Sequence, residues 1–252
     1  MEGLTIVLSA ILSLLSPAGL VLEGLSETAI RDRLESVEEL RVRIDNVPTH
    51  QIFQGRVDRV RIAGRGLILK QIPLRIAILE VETDPIDLDL QNLENGFSKA
   101  LQQPLQAGIR VMLTEEDLTR SLLSASDSDD TELTIGNYTL LHPQIDFLES
   151  NRLRIQVEIQ DGNDPQTVNV VVESGLEVRE GRHIVFVDPV VRANEETVPP
   201  QLLDAIFGGV DRIFDLDRFT PPGTIVRLLE LHLTPDGIEV AAFVRIEHEN
   251  TD

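Results

Sequence analysis

The chain has 252 residues with 43 acidic and 22 basic side chains, a net charge of −21, 4% aromatic residues, and neither cysteine nor tryptophan. That length, with 42% apolar residues, supports a continuous core, and the missing cysteines exclude a disulfide framework, a thiol nucleophile, thiolate-bound zinc and an iron–sulfur cluster. So acidic a chain, with Lys70 and Lys99 as its lysines, disfavours nonspecific binding to nucleic acid, whose affinity comes from contacts of Lys and Arg with phosphate.

Residues 1–25 form an apolar N-terminal segment. Within it, the nineteen residues 4–22 carry no charge, and as a helix they would be roughly 28 Å long, close to a bilayer core of about 30 Å. Three readings stay open. A membrane anchor fits the length, although Pro17 and three serines interrupt the run. A cleaved signal lacks its basic leader, since Glu2 is the only charge ahead of the run. The third is a hairpin broken near Pro17, lying on a membrane or docked on the core. Arg31, Arg33, Arg41 and Arg43 follow, and the positive-inside rule would hold a domain after them on the cytoplasmic side.

Residues 26–252 are expected to form a single domain. Ser26-Glu27-Thr28-Ala29 opens a polar helix to about Ser36, with Ile30 and Leu34 on one face. The period then becomes two: Leu40, Val42 and Ile44 alternate with Arg41, Arg43 and Asp45, the pattern of a half-buried strand that Pro48 ends. Further strands are predicted over 55–63, 66–71, 73–82 and 85–90, with Gly64-Arg65-Gly66 as the turn between the first two. Residues 74–81 are apolar on both parities, which predicts cover on both faces. Leu105 to Leu113 alternates again, and Thr114-Glu115-Glu116-Asp117 predicts a helix N-cap with acids in the first turn. Residues 124–130 form a polar, acidic loop, expected to be mobile.

The second half repeats this style. Leu153, Ile155, Val157 and Ile159 alternate with polar residues, as do Val168, Val170 and Val172 beyond the turn Asp161-Gly162-Asn163, and 183–187 form another strand. Val198-Pro199-Pro200 opens a helix carrying Leu203, Ile206, Phe207, Val210, Ile213 and Phe214 at three- and four-residue spacing. Residues 224–233 and 238–247 pair as a hairpin about Pro235-Asp236-Gly237. Many antiparallel strands, two or three amphipathic helices and no βαβ rhythm predict an α+β fold.

Catalytic arrangements are nearly absent. There is no nucleophile elbow, and Gly64-Arg65-Gly66 lacks the third glycine of a dinucleotide loop. His50, His142, His183, His232 and His248 are scattered, without metal-ligand spacing. The acidic runs 127–130 and 161–164 do not complete a calcium loop and read as solvated turns. The chain therefore reads as a non-enzyme with no metal and no cofactor. The span 31–75 departs from the overall charge, with ten basic residues against six acidic ones. An anionic headgroup would find a home there, although alternating charges on a solvated strand face are the simpler account.

Several stretches recur in a fixed order: Leu40-Arg41-Val42-Arg43-Ile44-Asp45 with Pro48; the run 55–67; Thr83-Asp84-Pro85-Ile86; Leu113-Thr114-Glu115-Glu116-Asp117-Leu118; and Ile238-Glu239-Val240-Ala241-Ala242-Phe243. In that order the chain resembles the LmeA-like family of bacterial phospholipid-binding envelope proteins over about residues 26–248. The resemblance implies lipid binding without catalysis, an association with the cell envelope, and a tubular lipid-binding type of fold, in which a curved antiparallel sheet wraps around one or two helices with an apolar groove. It supplies no ligand residue. The chain is thus expected to bind, or to transfer, a phospholipid or another acyl-chain lipid at a membrane. Leu203, Ile206, Phe207, Val210 and Phe214 would lie near the acyl chain, and Arg59, Arg61 and Arg65 near a headgroup phosphate. The alternative is a structural or scaffolding envelope protein with a filled core that binds a protein partner.

Overall fold

Strict alternation of apolar and charged residues makes strands with one dry face and one wet face, and fourteen strands stand among the described residues of the computed structural model. These residues are 30–31, 34–70, 72–92, 97–124, 132–135, 138–161, 166–194, 196–197, 220 and 222–248. In chain order the elements are β1 (Leu34–Asp45), a 3-10 helix (Thr49–Gln54), β2 (Arg56–Val57), β3 (Arg59–Leu69), β4 (Ile72–Thr83), β5 (Ile86–Asp87), α1 (Phe97–Ala100), β6 (Leu105–Leu113) and α2 (Glu115–Ser124). Then follow β7 (Glu132–Ile135), β8 (Tyr138–Leu148), β9 (Arg152–Asp161), β10 (Thr167–Arg179), β11 (His183–Ala193), β12 (Glu196–Thr197), β13 (Thr224–Thr234) and β14 (Gly237–Ile246).

The strands divide between two six-stranded sheets, β1-β3-β4-β6-β14-β13 and β12-β11-β10-β9-β8-β7, with β2 and β5 as a separate pair. Every pairing among the described residues is antiparallel. The division is what twist imposes, because a strongly twisted sheet of this many strands curls or splits. The second sheet is inserted in sequence between β6 and β13, and the closing hairpin returns to complete the first.

Among the described residues, hydrogen bonds and ion pairs join the sheets at three places. The Asn151 side chain, in the turn after β8, accepts from Leu233 N–H at 2.7 Å and donates to Leu176 O at 2.8 Å. Leu228 N–H donates to Gly181 O at 2.6 Å. Helix α2 lies between β4 and β8: Arg75 reaches its Asp117 at 3.3 Å, and its Thr119 hydroxyl accepts from Ile145 N–H at 3.3 Å. One apolar core runs across this junction, from Leu67, Leu79, Val111 and Val240 of the first sheet to Ile145, Phe147, Leu153 and Leu176 of the second.

Several sequence expectations change. The strand-dominated, antiparallel part of the expected fold stands, with two sheets among the described residues instead of one, while the apolar N-terminal segment and the helix expected after Val198 lie outside the described residues. Leu34 begins strand β1, so the helix expected to reach Ser36 ends before it. Gly64-Arg65-Gly66 is no turn: β3 runs straight through it, with Gly66 at φ 59°. There the buried series Val60, Ile62, Gly64 changes phase and resumes at Leu67. Opposite, β4 does the same, from Leu74 and Ile76 to Leu79 and Val81, and this change of phase accounts for the apolar residues on both parities. The strand expected over 85–90 shrinks to β5 and a single bridge from Leu88 to Leu101. Of the loop expected over 124–130, Ser124 ends α2 and residues 125–130 lie outside the described residues.

Candidate functional site

On the second sheet, cross-strand registers gather the apolar residues onto one face. Ile155 stands opposite Val172, Val157 opposite Val170 and Ile159 opposite Val168, while Leu153 and Ile155 face Phe147 and Ile145 of β8. The opposite face carries Arg154 and Glu173, paired at 2.8 Å, and Gln156. Burial on the apolar face falls with distance from the first sheet: Phe147 and Leu153 are buried, Ile155, Val157 and Val170 half-buried, and Val168 is 38% exposed. Ser174 continues the Val170–Val172 series at the junction and is fully buried, its hydroxyl satisfied 2.9 Å from Val187 O. The result is an aliphatic strip that no charged side chain interrupts at these positions. It offers dispersion and desolvation energy to a hydrocarbon chain and nothing to a polar substrate.

Arg59, Arg61 and Arg65 share the other, outer face of β3, away from Val60 and Ile62. Arg59 pairs with Glu82 at 3.1 Å. Arg61 lies between Asp45, 3.4 Å from its Nη1, and Glu82, 3.2 Å from its Nε. Arg65 makes no ion pair among the described residues and borders a shallow depression of about 410 Å³ over Ala63, with Glu39, Arg41, Glu80 and Arg110 around it. Arg110 bridges Glu239 at 2.5 Å and Glu80 at 3.0 Å, which raises its own pKa and holds the Glu239 carboxyl below its ordinary value. The Arg43 side chain does the same to Asp45, against a smaller opposing effect of desolvation. The arginines predicted from sequence are therefore together, with the sheet between them and the core. Leu203, Ile206, Phe207, Val210 and Phe214 lie outside the described residues.

The model of the LmeA-like phospholipid-binding family matches residues 15–243. The chain belongs to that family. Its match covers both sheets, all three arginines and the strand series 153–159 and 168–172. No curated protein and no solved structure matches the chain.

Among the described residues no three His, Asp or Glu side chains gather where they would hold a metal ion. His183 and His232 lie on strands, and His142 sits at a bulge in β8 with Glu158 at 3.7 Å. The acidic run 127–130 lies outside the described residues, as does most of 161–164. No described helix is long and apolar enough to cross a membrane. Sequence reasoning does not single out the connection between β1 and β3, which exposes Val47 and Phe53; a valine before proline and a phenylalanine within a polar loop are the only signals it gives.

Proposed function

We propose that the chain is a non-catalytic carrier that takes a phospholipid from a membrane of the cell envelope, shelters its acyl chains and passes it on. The observation that supports this reading most is the second sheet's aliphatic strip, open at its Val168 end, in a chain of a phospholipid-binding family. Each methylene moved from water onto such a strip contributes about 0.8 kcal/mol, so one acyl chain needs no specific polar contact. The residues 26–252 act as one unit in this reading. Leu203, Ile206, Phe207, Val210 and Phe214, which lie outside the described residues, are proposed as acyl-chain contacts from their apolar three- and four-residue spacing in the sequence. Arg59, Arg61 and Arg65 stand on the far side of β3 from the core, and we assign them to the anionic surface of the membrane in place of the carried headgroup.

Native mass spectrometry of the full chain, purified without detergent and followed by lipid extraction, tests the carrier. A stoichiometric phospholipid is expected. Val157→Asp with Val170→Asp, a directly opposed pair on the strip, is expected to abolish it while circular dichroism still reports the strands. A clean apo mass that persists after incubation with mixed liposomes would reject the carrier in favour of a filled-core scaffold. Charge reversal at Arg59, Arg61 and Arg65 should weaken binding to anionic vesicles while leaving the stoichiometry of carried lipid unchanged.

A further inference from the structure

Resting on the reading that the chain carries phospholipid, we propose that the aliphatic strip of β9 and β10 is a ruler for acyl-chain length. One acyl chain lies along the two strands, its headgroup at the Val168 end and its terminal methyl against Phe147 and Leu153.

The strip is a lane, longer than it is wide. Its partly exposed residues stand in two columns, Ile155, Val157 and Ile159 on β9 and Val172, Val170 and Val168 on β10, opposed row by row. On either side of the Ile155–Val172 row the flanks are already covered, since Ile145 of β8 is 9% exposed and Val191 of β11 is 1%. Neighbouring strands lie about 4.8 Å apart, and carbon atoms in contact are about 4 Å apart. The lane therefore has the width of one polymethylene chain. A chain laid across the strands would leave it after one strand spacing. Laid along them, it stays on aliphatic carbon throughout.

The two ends of the lane differ. At the inner end Phe147, Leu153 and Ser174 form one row across β8, β9 and β10, all buried. Two residues before Leu153, the Asn151 amide spans the sheets between Leu233 N–H at 2.7 Å and Leu176 O at 2.8 Å. The Ser174 hydroxyl lies 2.9 Å from both Gly175 O and Val187 O. These polar groups are already bonded, so a headgroup driven inward would lose its water and gain no partner. A methyl group pays no such penalty. At the outer end Val168 is exposed, and the next positions of the same parity are Asp161 and Gln166. The headgroup stays there, in water.

Length follows from strand geometry. The Ile159–Val168 row and the Leu153–Ser174 row are separated by about 20 Å, of which contact between the methyl group and Leu153 takes up about 4 Å. Carbon–carbon bonds of about 1.5 Å advance an extended chain by about 1.25 Å each. The lane is thus full at about fourteen carbons, and one row of the sheet, about 6.7 Å, is worth about five.

Lysophosphatidylcholines of even chain length from eight to eighteen carbons, held below their micelle concentrations, test this by titration of the full chain. Affinity should rise about fourfold with each methylene and level off near fourteen carbons. Val172→Phe, which puts a ring across the row next to the inner end, should bring the plateau about five carbons earlier and leave shorter chains bound as before. Ile155→Phe fills the same row from the other strand and should do the same, so the test does not depend on the folding of one variant. Val168→Phe, at the mouth, should weaken every length alike without moving the plateau. An affinity that climbs to eighteen carbons, or a plateau that neither inner variant moves, would overturn the ruler. Carriage is read separately, by mass spectrometry of the full chain re-isolated from phosphatidylcholine vesicles. Carried lipid without a plateau would reject the ruler and keep the carrier. A plateau that shifts as expected, with no vesicle lipid carried, would uphold the ruler and reject the carrier.

Discussion

Asp117 is a carboxylate with 2% exposure, and two neighbours justify it. It closes a capping box with Thr114, whose hydroxyl accepts from Asp117 N–H at 3.2 Å while the carboxylate accepts from Thr114 N–H at 3.3 Å, and Arg75 supplies the counter-charge. Asp117→Ala should cost about 1–2 kcal/mol in a chemical denaturation curve, because it removes the cap and leaves Arg75 with Glu38 as its remaining carboxylate partner. Gly55 answers to geometry. At φ 84°, a Cβ there would stand 2.1 Å from Leu88 O, so Gly55→Ala should lower stability by at least about 1–2 kcal/mol, read by the same measurement, and displace the 3-10 helix that it caps. Glu239 sets a pH dependence. Its pKa lies below the ordinary glutamate value of 4.5 because Arg110 bonds its charged form. The stability this contributes is present above that value and is lost as pH falls through the lowered one. Both partners are 40% exposed, so the effect is small; acid titration of the thermal midpoint should show a shallower fall for Glu239→Gln.

At the level of the element, α2 earns its place by covering an open edge. β7 pairs only with residues 138–141 of β8, which leaves backbone N–H groups further along that edge without a strand. Thr119 accepts from Ile145 N–H and Glu115, one helical turn earlier, from Phe147 N–H. Glu115→Ala with Thr119→Val should destabilise by about 2 kcal/mol or more, since two N–H donors lose their partners, and hydrogen exchange at Ile145 and Phe147 should accelerate. Much of the architecture is legible at this scale. Period-two patterns locate β6, β9, β10 and the final hairpin, and Thr114 with its trailing acids locates α2. Gly64-Arg65-Gly66 imitates a turn, because glycine signals freedom of φ without saying whether the chain reverses or merely changes phase. β8 gives little signal, since Pro143 and the positive-φ His142 interrupt its alternation. The apolar strip is written in the Val and Ile series, but which pairs oppose each other depends on registers that no local pattern contains. The exposure of Phe53 is equally hidden, because Ile52 and Phe53 are alike in sequence and only the 3-10 helix separates their fates.

For the whole molecule, a carried lipid is a ligand of the folded state alone, so the delipidated chain should melt at a lower temperature than the loaded one, and added phospholipid should restore the difference in proportion to its logarithmic concentration. Differential scanning calorimetry before and after extraction checks this. The insertion of the second sheet has another consequence, in the order of events during synthesis. β6 acquires its partner β14 only when Ile238 meets Leu113, more than a hundred residues later in the chain. Until then a nascent chain holds β1, β3, β4 and β6 with one long unpaired edge of Leu, Ile and Val, a template for wrong pairing. Contacts of such sequence separation form slowly. A ribosome making this chain thus leaves its first sheet unfinished until residues 237–246 emerge, and a chain truncated before Thr224 should collect in the insoluble fraction with its apolar edge bare.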